Sequence, residues 1–407
     1  MKSKFLLSLI LIFSIQPNAS AATVVEAKAK VDLAYTGNEQ VSDLLLTSTF
    51  IAIIGTTENA TSNWISGNLN GRSDGFISSF SSTGAPLWNL RLGGINSEIA
   101  TSAAIDSDGS IWIVGASAQA VNSTPAPTPT KVLNPDNVFI EQPSAAATAL
   151  NKLNLWQVSP SGQLIASYET QTASVINPQK LMVTPTGLAI FGDIYEKSTV
   201  KGILVLASKS GLFNAPIKYG VKSTQFNSAI LNSDGSFTVV GRSSDLLLKV
   251  KPLSKSDAIS LKISSKGILQ QVGRATLKST TRTWDSISAG LLQGGLVKYS
   301  NKSEAAVTKF SAIGKPTWNT RYLSKSTALV TSGTNSWVTF ISNGAITGLG
   351  TWKPKTPTTV VLQLGKKGEV VTAHSLSGVP VAIGRNNELG TVVITDSGTS
   401  FGLVLIN

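Results

Sequence analysis

One four-residue turn recurs along this chain: SSTG at 81–84, SPSG at 159–162, SKSG at 208–211, SSKG at 264–267 and SAIG at 311–314, with a degenerate GKKG at 365–368. Successive turn glycines lie 78, 49, 56, 47 and 54 residues apart. A period near 50, broken by one insertion, demands a fold that repeats a single supersecondary unit. Around the clearest copy, DGFISSFSSTGAPLWNLRLGG (74–94), apolar and polar residues alternate on both sides of the turn. That pattern marks two half-buried strands joined by a short glycine-containing loop.

A second element lies between the turns. SAAIDSDGSIWIVG (102–115), QKLMVTPTGLAIFG (179–192) and SAILNSDGSFTVVG (228–241) align without a gap, and the first and third share eight identities. Each reads as strand, tight turn, strand, with Asp108-Gly109 and Asp234-Gly235 supplying a positive-φ position. Looser copies at 42–55, 284–299, 327–342 and 379–395 bring the count to seven. An SxxG hairpin follows each of the first six, so the unit has four antiparallel strands. Units of this size and strand number predict a β-propeller.

The seventh unit closes with GTSFGLVLIN, one strand only, while VVEAKAKVDLAY (24–35) precedes the first full unit and has strand character. The expected fold class is therefore all-β: a seven-bladed β-propeller of four-stranded antiparallel blades, closed by pairing of the N-terminal strand with the C-terminal blade. Such pairing removes two open sheet edges.

The chain opens MKSK, then FLLSLILIFSI (5–15), then Ala19-Ser20-Ala21. A charged start, a short apolar run and a small-residue cleavage signal make a secretory signal peptide, too short to span a bilayer. The expected division is a signal peptide over 1–22 and a single propeller over 23–407, with a Pro-rich insertion at about 119–147 in blade 2. There is no cysteine, so neither a disulfide framework nor a lipidated cysteine is available. A secreted or periplasmic monomer without a membrane span is expected.

The stretch 74–117 resembles the bacterial secreted propeller repeat, whose units read roughly D-A-F-V…G…L-W…L-G-G…A…D…G-N-V-Y-V-T-G. The resemblance implies a propeller in an extracytoplasmic setting and no particular activity. Thr83-Gly84 with Trp88, and Gly314 with Trp318, are similar to the T-G-x-x-x-W turn of quinoprotein-like propellers. In that family the tryptophans lock adjacent blades, and the enzymes need a calcium site and often a vicinal cysteine pair. This chain departs from the pattern by lacking cysteine, so no quinone or calcium residues carry over, and neither cofactor nor metal site is expected.

In a four-stranded blade, the strand 1–2 and 3–4 turns emerge on one face, and the 2–3 and 4–1 connections on the other. Here the first face has short uniform turns, whereas the second carries 56–73, 116–147, 243–256 and 343–357. Variable loops on a rigid scaffold are where binding usually resides. Lys and Arg against Asp and Glu number 7 to 14 over 23–196, 20 to 5 over 197–325 and 5 to 3 over 326–407. A closed ring thus has a basic sector, mostly blades 4 and 5, suited to polyanions or an acidic protein, although surface lysines also serve solubility alone. Candidate binding residues on the irregular face are Lys249, Lys251 and Lys255; Arg282 and Trp284; and Trp352, Lys353 and Lys355. Aromatic-plus-cation loops suit sugars or bases, although a tryptophan equally caps a blade core.

Catalytic signals are sparse. GRSDG (71–75) matches a nucleophile elbow but runs into a strand, and the single histidine, His374, lies far away in sequence. No catalytic residue is assigned; Asp43, Asp285 and Glu304 are carboxylates without distinguishing context. The expected function is an exported, non-catalytic binding propeller that engages an anionic cell-envelope polymer or polysaccharide, or a protein partner. The alternative is a propeller enzyme, either a polysaccharide hydrolase or lyase or a quinoprotein-like oxidoreductase, with its site over the central channel. Two carboxylates meeting in that channel would favour the hydrolase; a lining of Ser, Thr and apolar groups would favour the binder.

Overall fold

A computed structural model of the chain describes residues 21–35, 38–59, 62, 64–118 and 149–406. The expected Pro-rich insertion and, apart from Ala21 and Ala22, the expected leader lie outside the described residues. Seven sheets follow one another along the sequence, and each contains four strands in antiparallel order. Blades 1 to 6 occupy 39–92, 98–171, 175–219, 224–275, 281–323 and 329–376; blade 7 combines 379–406 with Val31–Ala34. The first strand of each blade is innermost and touches the first strand of the next. The inner strand of blade 7 (Val379–Asn386) touches that of blade 1 (Glu39–Leu46), so the ring is closed.

Closure uses the N-terminal segment twice. Val31–Ala34 pairs antiparallel with Ser400–Ile406 as the missing fourth strand of blade 7. Val24–Glu26, expected as part of the same strand, instead adds a fifth, parallel strand outside Val370–Leu376 of blade 6. Between them Ala27 and Ala29 pack onto a core shared by Trp337 of blade 6 and Val393, Val404 and Ile406 of blade 7. One short segment therefore covers two sheet edges and the seam between them.

The repeated turn has a local and a long-range cause. Locally, each turn glycine has φ between 75° and 86°. In five copies the serine hydroxyl accepts the backbone N–H four residues on, as from Ala85 to Ser81 at 3.1 Å and from Gln163 to Ser159 at 3.0 Å. At long range, the glycine seats a side chain from the outer strand of the preceding blade. A Cβ on Gly84 would meet Val31, on Gly162 Trp88, on Gly211 Tyr168, on Gly267 Ile217 and on Gly368 Trp318, at 2.0–2.8 Å. Trp88 and Trp318 are thus the two largest members of a ring of inter-blade knobs.

Candidate functional site

Six of the seven inner strands carry a β-bulge at the same level, and each bulge turns one extra residue towards the axis: Ser42, Thr101, Gln179, Asn227, Asp285 and Val381. Five bulges face the last glycine of the strand–turn–strand repeat: Gly55, Gly115, Gly192, Gly241 and Gly295. None of these has a positive φ. A Cβ on any of them would lie 1.9–2.3 Å from a backbone oxygen of the bulged strand. The repeat glycine therefore makes room for the bulge, and the bulge sets what the channel presents.

Residues from all seven inner strands enclose a central cavity of about 510 Å³, within the range of small-molecule sites. Its lining divides by blade. Blades 1 to 5 contribute the polar residues Gln40, Ser42, Thr101, Asn177, Gln179 and Asn227 and the two acids Asp43 and Asp285, with Leu44, Ile99 and Ile287 among them; blades 6 and 7 contribute only Leu329, Val330, Val381, Ala382 and Ile383. Asp43 is ion-paired with Lys180 at 2.9 Å and accepts Ser102 Oγ at 2.6 Å. Asp285 accepts Asn227 Nδ2 and Thr283 Oγ1, each at 2.9 Å, and the Thr327 hydroxyl. Burial raises the Asp285 carboxyl above the usual carboxylate range against these donors. Glu304, the third carboxylate singled out by sequence, is outside the channel and pairs with Lys302 and Arg321.

The second feature is the strand 2–3 loop of blade 4, residues 244–256. It is built on buried charges. Arg274 Nη1 donates to Ser243 O at 3.1 Å, and Nη2 donates to Val250 O at 3.4 Å and to Asp245 O. Asp257 receives Leu253 N at 2.8 Å and Ser254 N at 3.1 Å. Asp245 gathers Val221 N, Lys222 N and Ser223 N, each at 3.0 Å, and Thr224 Oγ1 at 2.8 Å. Burial alone would raise both carboxyls; these donors hold them below the usual range instead. At the tip, Leu247 and Val250 exchange backbone hydrogen bonds around Leu248 (φ 43°) and Lys249 (φ 65°), while Leu247 itself is buried in the blade core. Two adjacent non-glycine residues in the left-handed region cost about 1 kcal/mol or more each, so the framework of Arg274, Asp245 and Asp257 must impose the turn.

This scaffold holds outward a set of side chains that alternate in kind. Leu246, Leu248 and Leu253 are 57, 50 and 75% exposed, and Val250 and the neighbouring Val221 are exposed as well. Lys249, Lys251 and Lys255 are interleaved with them, and Lys222 is adjacent. The ion pairs of this face belong to other groups: Lys201 and Lys218 with Glu196, Arg274 with Asp257, and Lys302 and Arg321 with Glu304. Among the described residues Lys222, Lys249, Lys251, Lys255 and Lys278 have no carboxylate partner and are exposed.

Of the candidate residues, Lys249, Lys251 and Lys255 therefore share one ordered loop. Lys353 and Lys355 are exposed on the 343–357 loop of blade 6, whereas Trp352 is partly buried against that blade's core. Arg282 and Trp284 do not lie on a loop. They belong to the inner strand of blade 5, Thr281–Ser288, and are 7 and 1% exposed. The Trp284 ring fills the core between blades 4 and 5, with the Arg282 guanidinium stacked on it at 4.3 Å. Their alternation TRTWDS is that of a strand, which starts three residues before Trp284, so neither residue belongs to the connection from blade 4. The exposed leucines and the Arg274 clamp escaped sequence reasoning, because LLLKVKPL reads equally as a strand end.

No protein-family model matches the chain, and no curated protein matches it. Among solved structures it is similar to the Dos1 propeller, at 10% identity over 90% of this chain and 78% of that one, with a TM-score of 0.49. It is similar also to Sqt1 from Chaetomium thermophilum, at 9% identity over 94 and 100% of the two chains and a TM-score of 0.49. A third is the polysaccharide lyase Uly1, at 9% identity over 93 and 99% and a TM-score of 0.47. The seven-bladed fold stands on the strand pairing itself, and similarity at this level says nothing of activity.

Proposed function

We propose that the protein is an exported, monomeric, non-catalytic binding propeller that presents the irregular face of blades 3 to 5 to an anionic partner. The leader pattern supports export. The observation that carries the binding reading is the unpaired lysine set on that face, with the nearby carboxylates already buried and committed to holding the loop. Uncompensated cations on rigid loops raise the local concentration of a polyanion. The test is retention of residues 23–407 on heparin against a salt gradient. The variant in which Lys249, Lys251 and Lys255 become Ser should elute at lower salt; unchanged elution would reject this surface.

The alternative, a polysaccharide hydrolase or lyase, draws support from Asp43 and Asp285 lining one channel. Asp285, with its raised carboxyl, would be the acid in that case. Release of reducing ends from a panel of polysaccharides, abolished in Asp285→Asn, would establish it; no turnover with any of them leaves the channel as a binding cavity.

A further inference from the structure

We propose that the anionic partner is a lipid bilayer and that the blade 4 loop is a membrane-docking element. Leu246, Leu248, Val250 and Leu253 enter the boundary between headgroups and acyl chains, and Lys222, Lys249, Lys251 and Lys255 meet the lipid phosphates. This rests on the preceding reading, that the lysines of this sector meet a polyanion, and narrows what the polyanion is.

The exposed aliphatics decide the matter. Isolated apolar side chains on a surface need no explanation, but a cluster rimmed by charge marks an interaction site. Here four large aliphatics are exposed within eight residues, 246–253, and Val221 joins them through the Asp245 carboxylate that ties 221–223 to the loop. A soluble polysaccharide or nucleic acid backbone offers no apolar phase to receive them. A protein partner would, yet binding hot spots draw on Trp, Tyr and Arg, and the exposed part of this loop has Leu, Val and Lys only. Interfacial binding needs that combination: apolar area to bury a few ångströms deep, and lysines whose stems follow it while the ammonium groups stay at the phosphates. The strained turn at Leu248-Lys249 fits as well. It is fixed by Arg274 and by buried Leu247, so the leucines are held outward before any contact, and little ordering cost remains for binding.

The experiment is co-sedimentation of residues 23–407 with phosphatidylcholine vesicles, with and without phosphatidylserine, alongside heparin retention of the same samples. The wild-type chain should bind the phosphatidylserine vesicles and leave pure phosphatidylcholine unbound. Each Lys→Ser change at 249, 251 or 255 should lower partitioning about fivefold. The pair Leu248→Ser with Leu253→Ser, which keeps every lysine, should lower it about tenfold and leave heparin retention and melting temperature unchanged. If the leucine pair sediments like wild type, or wild type is retained on heparin but ignores both vesicles, the lipid assignment is wrong while the polyanion reading survives. Absence of binding to either overturns both.

Discussion

Gly241→Ala should be among the most damaging glycine-to-alanine changes in the protein, and the reason is independent of backbone dihedral preference. Gly241 is not in the left-handed region, so alanine meets no conformational objection there. Its Cβ would, however, stand 1.9 Å from Gln225 O, 2.9 Å from the carbonyl carbon and 3.1 Å from Phe226 Cα. The bulge that supplies these atoms cannot retreat. The Phe226 ring is fully buried, and Phe226 N donates to the buried Asp193 carboxylate at 2.8 Å. Overpacking against side chains costs roughly 1–3 kcal/mol; against a pinned backbone the upper end applies, so a loss of about 3 kcal/mol is expected. Gly235→Ala is the control. That glycine has φ +76° and nothing within 4 Å of its added Cβ, so it should lose only the left-handed penalty of about 1 kcal/mol. Guanidinium unfolding measures both, read as midpoint shifts at constant slope. Equal losses, or a Gly241→Ala variant within about 0.5 kcal/mol of wild type, would refute the account of how bulges populate the channel.

Two further predictions concern the scaffold. Burial pushes the Asp193 carboxyl up to about 7 against the hydrogen bonds from Phe226 N and Gln225. The folded state then holds a proton that the unfolded chain has released, so this contribution is fully present below about pH 4 and is lost as pH rises to about 7, by about 4 kcal/mol in all. Asp193→Asn should flatten the stability profile over that window and be the more stable protein at alkaline pH; parallel profiles would show that the group does not titrate there. Trp88→Ala removes the half-buried ring that seats on Gly162 of the next blade and should cost about 2 kcal/mol, seen as a lower melting temperature. A wild-type melt would mean that the blade 1–2 seam is held elsewhere.

Much of the fold was legible because the repeat residues are there for steric reasons that recur in every blade. The SxxG serine and glycine make the same turn with the same hydrogen bonds six times over, less the serine in GKKG. The last glycine of the strand–turn–strand element opposes the same bulge five times. What stayed hidden was non-local. Nothing in VVEAKAKVDLAY shows that its first residues would run parallel to blade 6 while its last complete blade 7, since both halves alternate alike. Part of the channel's character depends on which single residue each bulge extrudes, polar in blades 1 to 5 and Val381 in blade 7, and a bulge leaves no mark in a period-two pattern beyond its facing glycine. Blade 7 has the bulge with Thr395 in place of that glycine, so even this mark is incomplete.

The same reasoning says where function should be sought in a chain of this kind. Residues that recur are consumed by the ring: they form turns, admit bulges or seat knobs, and their chemistry is accounted for once those tasks are named. Residues that break the recurrence without a structural need are the informative ones. By that criterion Trp88 and Trp318 are scaffold, as the glycines beneath them show. Arg274 and Asp257 look at first like scaffold too, because Arg91 and Asp74 form the same ion pair in blade 1. In blade 4, however, the pair also grips a connection whose exposed residues are apolar where a solvated loop should be polar, turned by two residues that disfavour the conformation. A device shared with blade 1 has there been extended to hold leucines out into solvent. Among the described residues nothing covers those leucines, and that is the observation on which the proposed docking surface rests.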